Sequence, residues 1–280
     1  MMTEMMTARL KPVQPGRASL ISVLDIGSTK ICCVIARLTP RPEGKALKGR
    51  THVAEIIGFG YGASAGIKSG VITDLDQAEQ AIRTVVGMAE RAAGITVQSV
   101  VVNVTAGRLG SETFSAAVNL GAQEVEKADV QRVLRAVNDR SVRPERSIVH
   151  ALPIGYAIDG QKGVRDPRGL VGEKLSVDVA VISAETLAMR NIELVLNRCH
   201  LQIEALMATP YGSGLSTLVD DEGQLGVAVV DFGRATTTGA VCADGHPVYR
   251  DGLASGGHHL NLYIARQLSV SVADAERLKT

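Results

Sequence analysis

One local pattern, occurring twice, constrains this chain more than any other feature. Residues 24–30 read LDIGSTK and residues 230–238 read VDFGRATTT: an apolar run, an Asp, one residue, a Gly, then hydroxyl side chains. An Asp closing a buried strand and followed by a glycine turn suits phosphate with magnesium. Gly lets backbone approach closely, N–H groups and hydroxyls donate to phosphate oxygens, and the carboxylate holds the hydrated cation. A single such turn is common in structural hairpins. Two copies, each flanked by apolar strands and each opening one half of the chain, predict two related lobes that clasp a nucleotide's phosphates between them.

Composition narrows the alternatives. At 280 residues the chain has room for one large domain or two modest ones. With no Trp and only 3% aromatic residues, its core is expected to be aliphatic. A net charge of +1 offers no electrostatic case for binding nucleic acid or an anionic membrane surface. The longest apolar runs, such as LGVAVVDFG, are strand-length and too short to span a bilayer. The opening MMTEMMTARLKPVQPGRA lacks the continuous apolar stretch of a signal peptide, so cytoplasm is the expected compartment. Cysteines 32, 33, 199 and 242 include no CxxC pair, and the histidines no HxxxH spacing. Reduced, buried thiols are expected in place of a zinc or redox centre.

Along the chain, residues 1–18 read as a disordered tail. SLISVLDIGSTKICCVIARL predicts strand, turn and strand, and TPRPEGKALKGR a solvated connection. THVAEIIGFGYG predicts a third strand; its glycines lack dinucleotide-fingerprint spacing, and no helix opens directly after them. Leu75, Ala78, Ile82, Val85, Val86 and Ala89 recur at helical spacing, with Asp74 as N-cap and Gly94 as stop. VQSVVVNVTAG predicts a buried strand. Between 105 and 182 the pattern changes to a strand, the polar helix EVEKADVQRVLRAVND, and the strands SIVHALPIGYAIDG and KLSVDVAVISA. A helix carrying Ala188, Ile192, Val195, Leu196 and Cys199 on one face leads back to the first lobe. A strand from Leu225, a helix from about Ser255 to Leu268, and a last helix begun by the capping-box spacing of Ser271 and Asp274 complete the chain.

These segments together resemble the FtsA family of bacterial cell-division proteins, within the actin, Hsp70 and sugar-kinase superfamily. The resemblance covers Ser19 to Thr280. LDIGSTK looks like the family's first phosphate motif, GIKSGVITDLD like its following loop and helix start, LGVAVVDFG like the second motif, and DAERLK like the helix that reaches the ribose. The dense stretch ALPIGYAIDG…DPRGLVG is the most specific, because actin, Hsp70 and MreB lack the subdomain that carries it.

The resemblance implies an α/β, actin-like ATPase-domain fold of ribonuclease H-like lobes, with an inserted strand-helix-strand-strand subdomain and an incomplete second lobe. Residues 19–104 and 183–224 would form the first lobe, 105–182 the insertion, and 225–280 the start of the second. ATP with Mg2+ is the implied ligand. Its contacts would be Asp25, Gly27, Ser28, Thr29 and Lys30 from the first motif, Asp231, Gly233, Thr236 and Thr237 from the second, and Glu276 and Lys279 on the ribose helix. Asp25 and Asp231 would serve the metal. Implied too are self-association into polymers, FtsZ and later division proteins such as FtsN as partners, and a place on the cytoplasmic face of the inner membrane at the division septum. The family's remaining lobe, Gly-rich adenosine loop and C-terminal amphipathic membrane helix are expected beyond Thr280. The insertion, separate in sequence from both phosphate turns, is expected to be a protein-contact surface whose deletion leaves nucleotide behaviour unchanged.

Departures from the family pattern shape the chemistry expected. The second motif has Arg234 and Ala235 where the family usually has glycines, which predicts a strained turn and a narrowed phosphate cradle. Tyr263 stands where relatives often have an Asp facing the cleft, and Thr209 where hydrolysing relatives have an acidic or amide group. ATP, a structural ligand in this reading, is therefore expected to bind weakly or not at all, without measurable hydrolysis. A pilus-assembly adaptor of the PilM type, or a superfamily ATPase or phosphotransferase, is the alternative.

Overall fold

The computed structural model describes residues 13–14, 16–42, 51–105, 108–141, 143–219, 222, 225–243 and 246–279. Most of the expected N-terminal tail and the centre of the basic connection, residues 43–50, lie outside the described residues.

The first sheet begins as an antiparallel meander of β1 (Ser19–Ile26), β2 (Lys30–Pro40) and β3 (His52–Ala63). After a small hairpin, β4 (Ile67–Lys68) and β5 (Val71–Ile72), helix α1 (Leu75–Ala93) carries the chain over to β6 (Ser99–Val104). Strand β6 lies parallel to β1, the pairing that a helical crossover permits. Both ends of α1 are as expected: Asp74 accepts the N–H groups of Asp76 and Gln77 at 3.0 Å each, and Gly94 closes the helix in the left-handed region. Its buried stripe is Ala78, Ile82, Val85, Val86 and Ala89. The GFGYG glycines serve this packing. A Cβ on Gly60 would stand 2.1 Å from the Val85 carbonyl oxygen, so the helix can lie this close only over a strand without side chains there.

The insertion comprises β7 (Gly110–Glu124), α2 (Lys127–Ser141), β8 (Arg146–Ile158), β9 (Gln161–Val164) and β10 (Val171–Glu185). Strand β9 is additional to the strands read from the sequence. Its four residues, QKGV, carry no alternating apolar signal, and it pairs with β8 at Tyr156 and Ile158. Val133 and Val137 of α2 pack on Leu175, Val177, Val179 and Val181 of β10, a core distinct from that under α1.

Helix α3 (Thr186–Arg198) returns to the first core through Ala188, Met189, Ile192, Val195 and Leu196. Strand β11 (Gln202–Ala208) then joins β6 in parallel, completing the order β11-β6-β1-β2-β3. Next come α4 (Thr209–Thr217), the meander β12 (Val227–Phe232), β13 (Thr237–Ala243) and β14 (His246–Leu253), and helices α5 (Gly257–Leu268) and α6 (Val272–Lys279). Ser271 and Asp274 cap α6 as expected: the Asp274 N–H donates to the Ser271 hydroxyl oxygen at 3.1 Å. The second sheet runs β12-β13-β14-β7-β10-β8-β9, the insertion meeting β14 where Gly110 pairs with Asp251. Among the described residues, no helix is long and apolar enough to cross a membrane.

Candidate functional site: a cleft between two aspartate turns

Strands β1 and β12 belong to different sheets, yet their Asp-x-Gly ends open on the same space. A cleft of about 640 Å³ is lined by Asp25, Gly27, Ser28, Thr29 and Lys30 from the first turn and by Asp231, Gly233, Arg234 and Thr236 from the second. The two turns are built alike. Gly27 N–H donates to the Lys30 carbonyl at 3.1 Å, and Gly233 N–H to the Thr236 carbonyl at 2.9 Å.

The likeness corrects the expectation of strain at Arg234 and Ala235. Neither residue has positive φ, and neither do the glycines that open the two turns. Arg234 and Ala235 occupy the places that Ser28 and Thr29 hold in the first copy, where side chains are accommodated. The second turn needs its one glycine for a different reason: a Cβ on Gly233 would lie 2.8 Å from the Thr236 carbonyl oxygen, the same distance as between a Cβ on Gly27 and the Lys30 oxygen. Exposed Arg234 thus contributes a cation to the mouth of the cleft without distorting its backbone.

Side chains that the sequence reading did not single out hold the two carboxylates. The Asn103 amide donates to Asp25 Oδ1 at 2.8 Å, and Ser213 donates to Asp231 Oδ2 at 2.7 Å. Thr209 donates to Asn103 Oδ1 at 3.1 Å and shares a 2.7 Å hydrogen bond with Thr105. Asn103 thus brings an amide to the cleft, engaged at both ends. Its signal was available, since it is the polar residue inside the valine run of VVVNV; Ser213, in YGSG, gave none.

Other expected residues separate. Thr237 does not line the cleft; its hydroxyl donates to the Ser255 carbonyl at 2.7 Å. Glu276 and Lys279 line an adjoining space of about 570 Å³, which shares Thr29, Gly233 and Arg234 with the cleft. There Lys279 Nζ lies 3.0 Å from Glu276, and the amide of buried Asn261 donates to the same carboxylate. Hydrogen bonds from Lys279 and then Asn261 hold the Glu276 carboxyl below the usual range. Tyr263 does not face the cleft: it is 62% exposed on α5 and lines neither space.

The donor set fits a phosphate chain with a divalent cation. Two carboxylates stand on facing strand ends, and hydroxyls, turn backbone, Lys30 and Arg234 surround the space between them. Both spaces are within the range of small-molecule sites.

A family model described as the SHS2 domain inserted in FtsA matches residues 106–183. The cell division protein FtsA of Agrobacterium fabrum is 52% identical over 271 residues, covering 97% of this chain and 61% of that protein. Along nearly its whole length the chain is similar to FtsA. FtsA of Rhizobium meliloti is 51% identical, again over 97% of this chain and 61% of its own length. FtsA of Neisseria meningitidis is 30% identical over 92% of this chain and 60% of its own length. The chain thus spans about three-fifths of these FtsA proteins. Among solved structures, the PilM-PilN type IV pilus biogenesis complex matches with a TM-score of 0.61 at 16% identity, over 95% of this chain and 70% of the matched one. That likeness bears on the fold alone. The architecture is the expected α/β, actin-like one with an SHS2-type insertion.

Proposed function

We propose that this protein is a cell-division adaptor of the FtsA type, holding MgATP as a structural ligand between its two aspartate turns. The observation that carries the nucleotide reading is the convergence of Asp25 and Asp231, from separate sheets, on one cleft. Asp25 and Asp231 would hold the cation, and Ser28, Thr29, Lys30, Gly27, Gly233, Arg234 and Thr236 the phosphates. Glu276 and Lys279, which line the adjoining space, would meet the nucleoside. Thr237 would act indirectly, by tying its strand to Ser255. Bound Mg2+ would neutralise phosphate charge. The protein's own groups supply orientation: Asn103 and Ser213 are bonded to the two carboxylates and hold them in place.

Partners follow from the family. FtsZ filaments, later division proteins such as FtsN and further copies of the protein are the proposed contacts, at the cytoplasmic face of the inner membrane, with attachment through the C-terminal amphipathic helix of the longer family members. Residues 105–182 are proposed as the recruiting surface, between first-lobe residues 19–104 and 183–224, with 225–280 opening the second lobe. Identity of 52% with FtsA, against 16% with the pilus complex, favours division over pilus assembly.

Calorimetry with MgATP and with a non-hydrolysable analogue, followed by co-sedimentation with FtsZ filaments, tests this reading. Saturable binding of both nucleotides, phosphate release at background, and co-sedimentation are expected. Steady ATP turnover would overturn the structural-ligand assignment, and failure to sediment with FtsZ the adaptor role.

A further inference from the structure

A histidine on β8 of the insertion meets the strand–helix junction beside the cleft. His150 Nε2 accepts the N–H of Ala208 at 3.0 Å, and its ring stands edge-on to Tyr211 with centroids 5.0 Å apart. Ala208 ends β11 and Tyr211 lies in the first turn of α4, so the imidazole touches the strand–helix junction on both sides. The junction needs such support. Alanine stands at the N-cap of α4 and provides no side-chain acceptor for the orphan N–H groups of a helix start.

Helix α4 is where the supports of both carboxylates meet. Thr209 at its start bonds Asn103, which holds Asp25. Ser213, one turn later, holds Asp231. A small displacement of this nine-residue helix therefore moves hydrogen-bond partners of both lobes' aspartates together. The insertion thus touches the junction that carries the supports of both carboxylates.

We infer that His150 is a positioning residue that couples the inserted domain to the phosphate cleft. A partner bound on the insertion shifts β8 and His150, α4 follows, and the two carboxylates change their fit to cation and phosphate. By linkage, ligand in the cleft alters affinity for that partner by the same factor. The inference rests on the reading of the cleft as a MgATP site.

Two substitutions separate coupling from packing. His150→Phe keeps a ring against Tyr211 but removes the acceptor; His150→Gln keeps an acceptor without the ring. In the whole 280-residue chain, amide NMR signals of Ala208 and of the Asn103 side chain, the thermal midpoint, and MgATP affinity by calorimetry are compared. His150→Phe is expected to shift both signals and weaken MgATP about threefold to tenfold, the scale of one hydrogen bond, with His150→Gln restoring both. An unmoved Asn103 signal in His150→Phe overturns the inference. So does unchanged MgATP affinity in that variant, or a His150→Gln variant as weak as His150→Phe with an equal loss of thermal midpoint. If the unsubstituted chain binds no MgATP, the nucleotide reading falls, and the Asn103 signal alone decides the coupling.

Discussion

Gly27 and Gly233 hold the same position in two turns, each closing onto the carbonyl three residues ahead, at Lys30 and Thr236 respectively. Restoring family-like glycines at Arg234 and Ala235 should therefore not tighten MgATP binding. Both residues have ordinary backbone angles, so the double glycine variant gains only unfolded-state freedom and loses about 1–2 kcal/mol of stability. Arg234→Ala should weaken MgATP about fivefold to tenfold, because it removes a cation lining both spaces. Calorimetry and urea unfolding of the two variants check this; tighter binding by the double glycine variant would show that the side chains block the cradle.

Gly60 tests the packing of α1 on the first sheet. Gly60→Ala places a methyl against the Val85 carbonyl, and either the helix lifts or the strand bends. The expected cost is about 1–3 kcal/mol, read as a lower urea midpoint.

At the start of the same helix, Asp74→Ala removes the acceptor of two N–H groups. Stability should fall by about 1 kcal/mol, while Asp74→Asn retains most of it. Equal losses in both variants would argue that charge, and not the cap hydrogen bond, matters there.

Acid behaviour is marked at Asp166. Hydrogen bonds from the Arg168 side chain, then from its backbone N–H, hold this carboxyl at about 2, below its ordinary 3.8. A folded value below the unfolded one means that the ionised form favours folding. The contribution is complete above the unfolded value and is lost as pH falls through about 2. Carbon-detected NMR should find Asp166 titrating near that point, and Arg168→Ala should move it up toward the ordinary range.

Much of the local structure was legible because it depends on near neighbours. Asp74, Gly94, and the Ser271–Asp274 pair act within a few residues of themselves, so their caps could be read directly. The alternation in β1 likewise marks which side chains enter the core. Strand β9 was not legible, since QKGV owes its conformation to β8 across the hairpin. Arg234 and Ala235 misled for a related reason: glycines in a motif suggest left-handed backbone, whereas here the need is for close approach of one carbonyl.

Sequence alone determined that two Asp-x-Gly turns end apolar strands, since strand patterning and turn chemistry are short-range properties. It also carried the resemblance to FtsA, through the ALPIGYAIDG stretch of the insertion. Only the tertiary structure decided which polar groups reach those turns. Asn103 of β6 bonds Asp25 across 78 residues, Ser213 of α4 bonds Asp231 across 18, and Thr209, one turn before Ser213, bonds Asn103 across 106. Thr236 and Thr237 are neighbours, yet one, in the turn, lines the cleft and the other, opening β13, bonds Ser255. His150 meets Ala208 across 58 residues because β8 of the insertion passes the end of β11. Contacts of that kind follow from how sheets and helices pack, which no local pattern records.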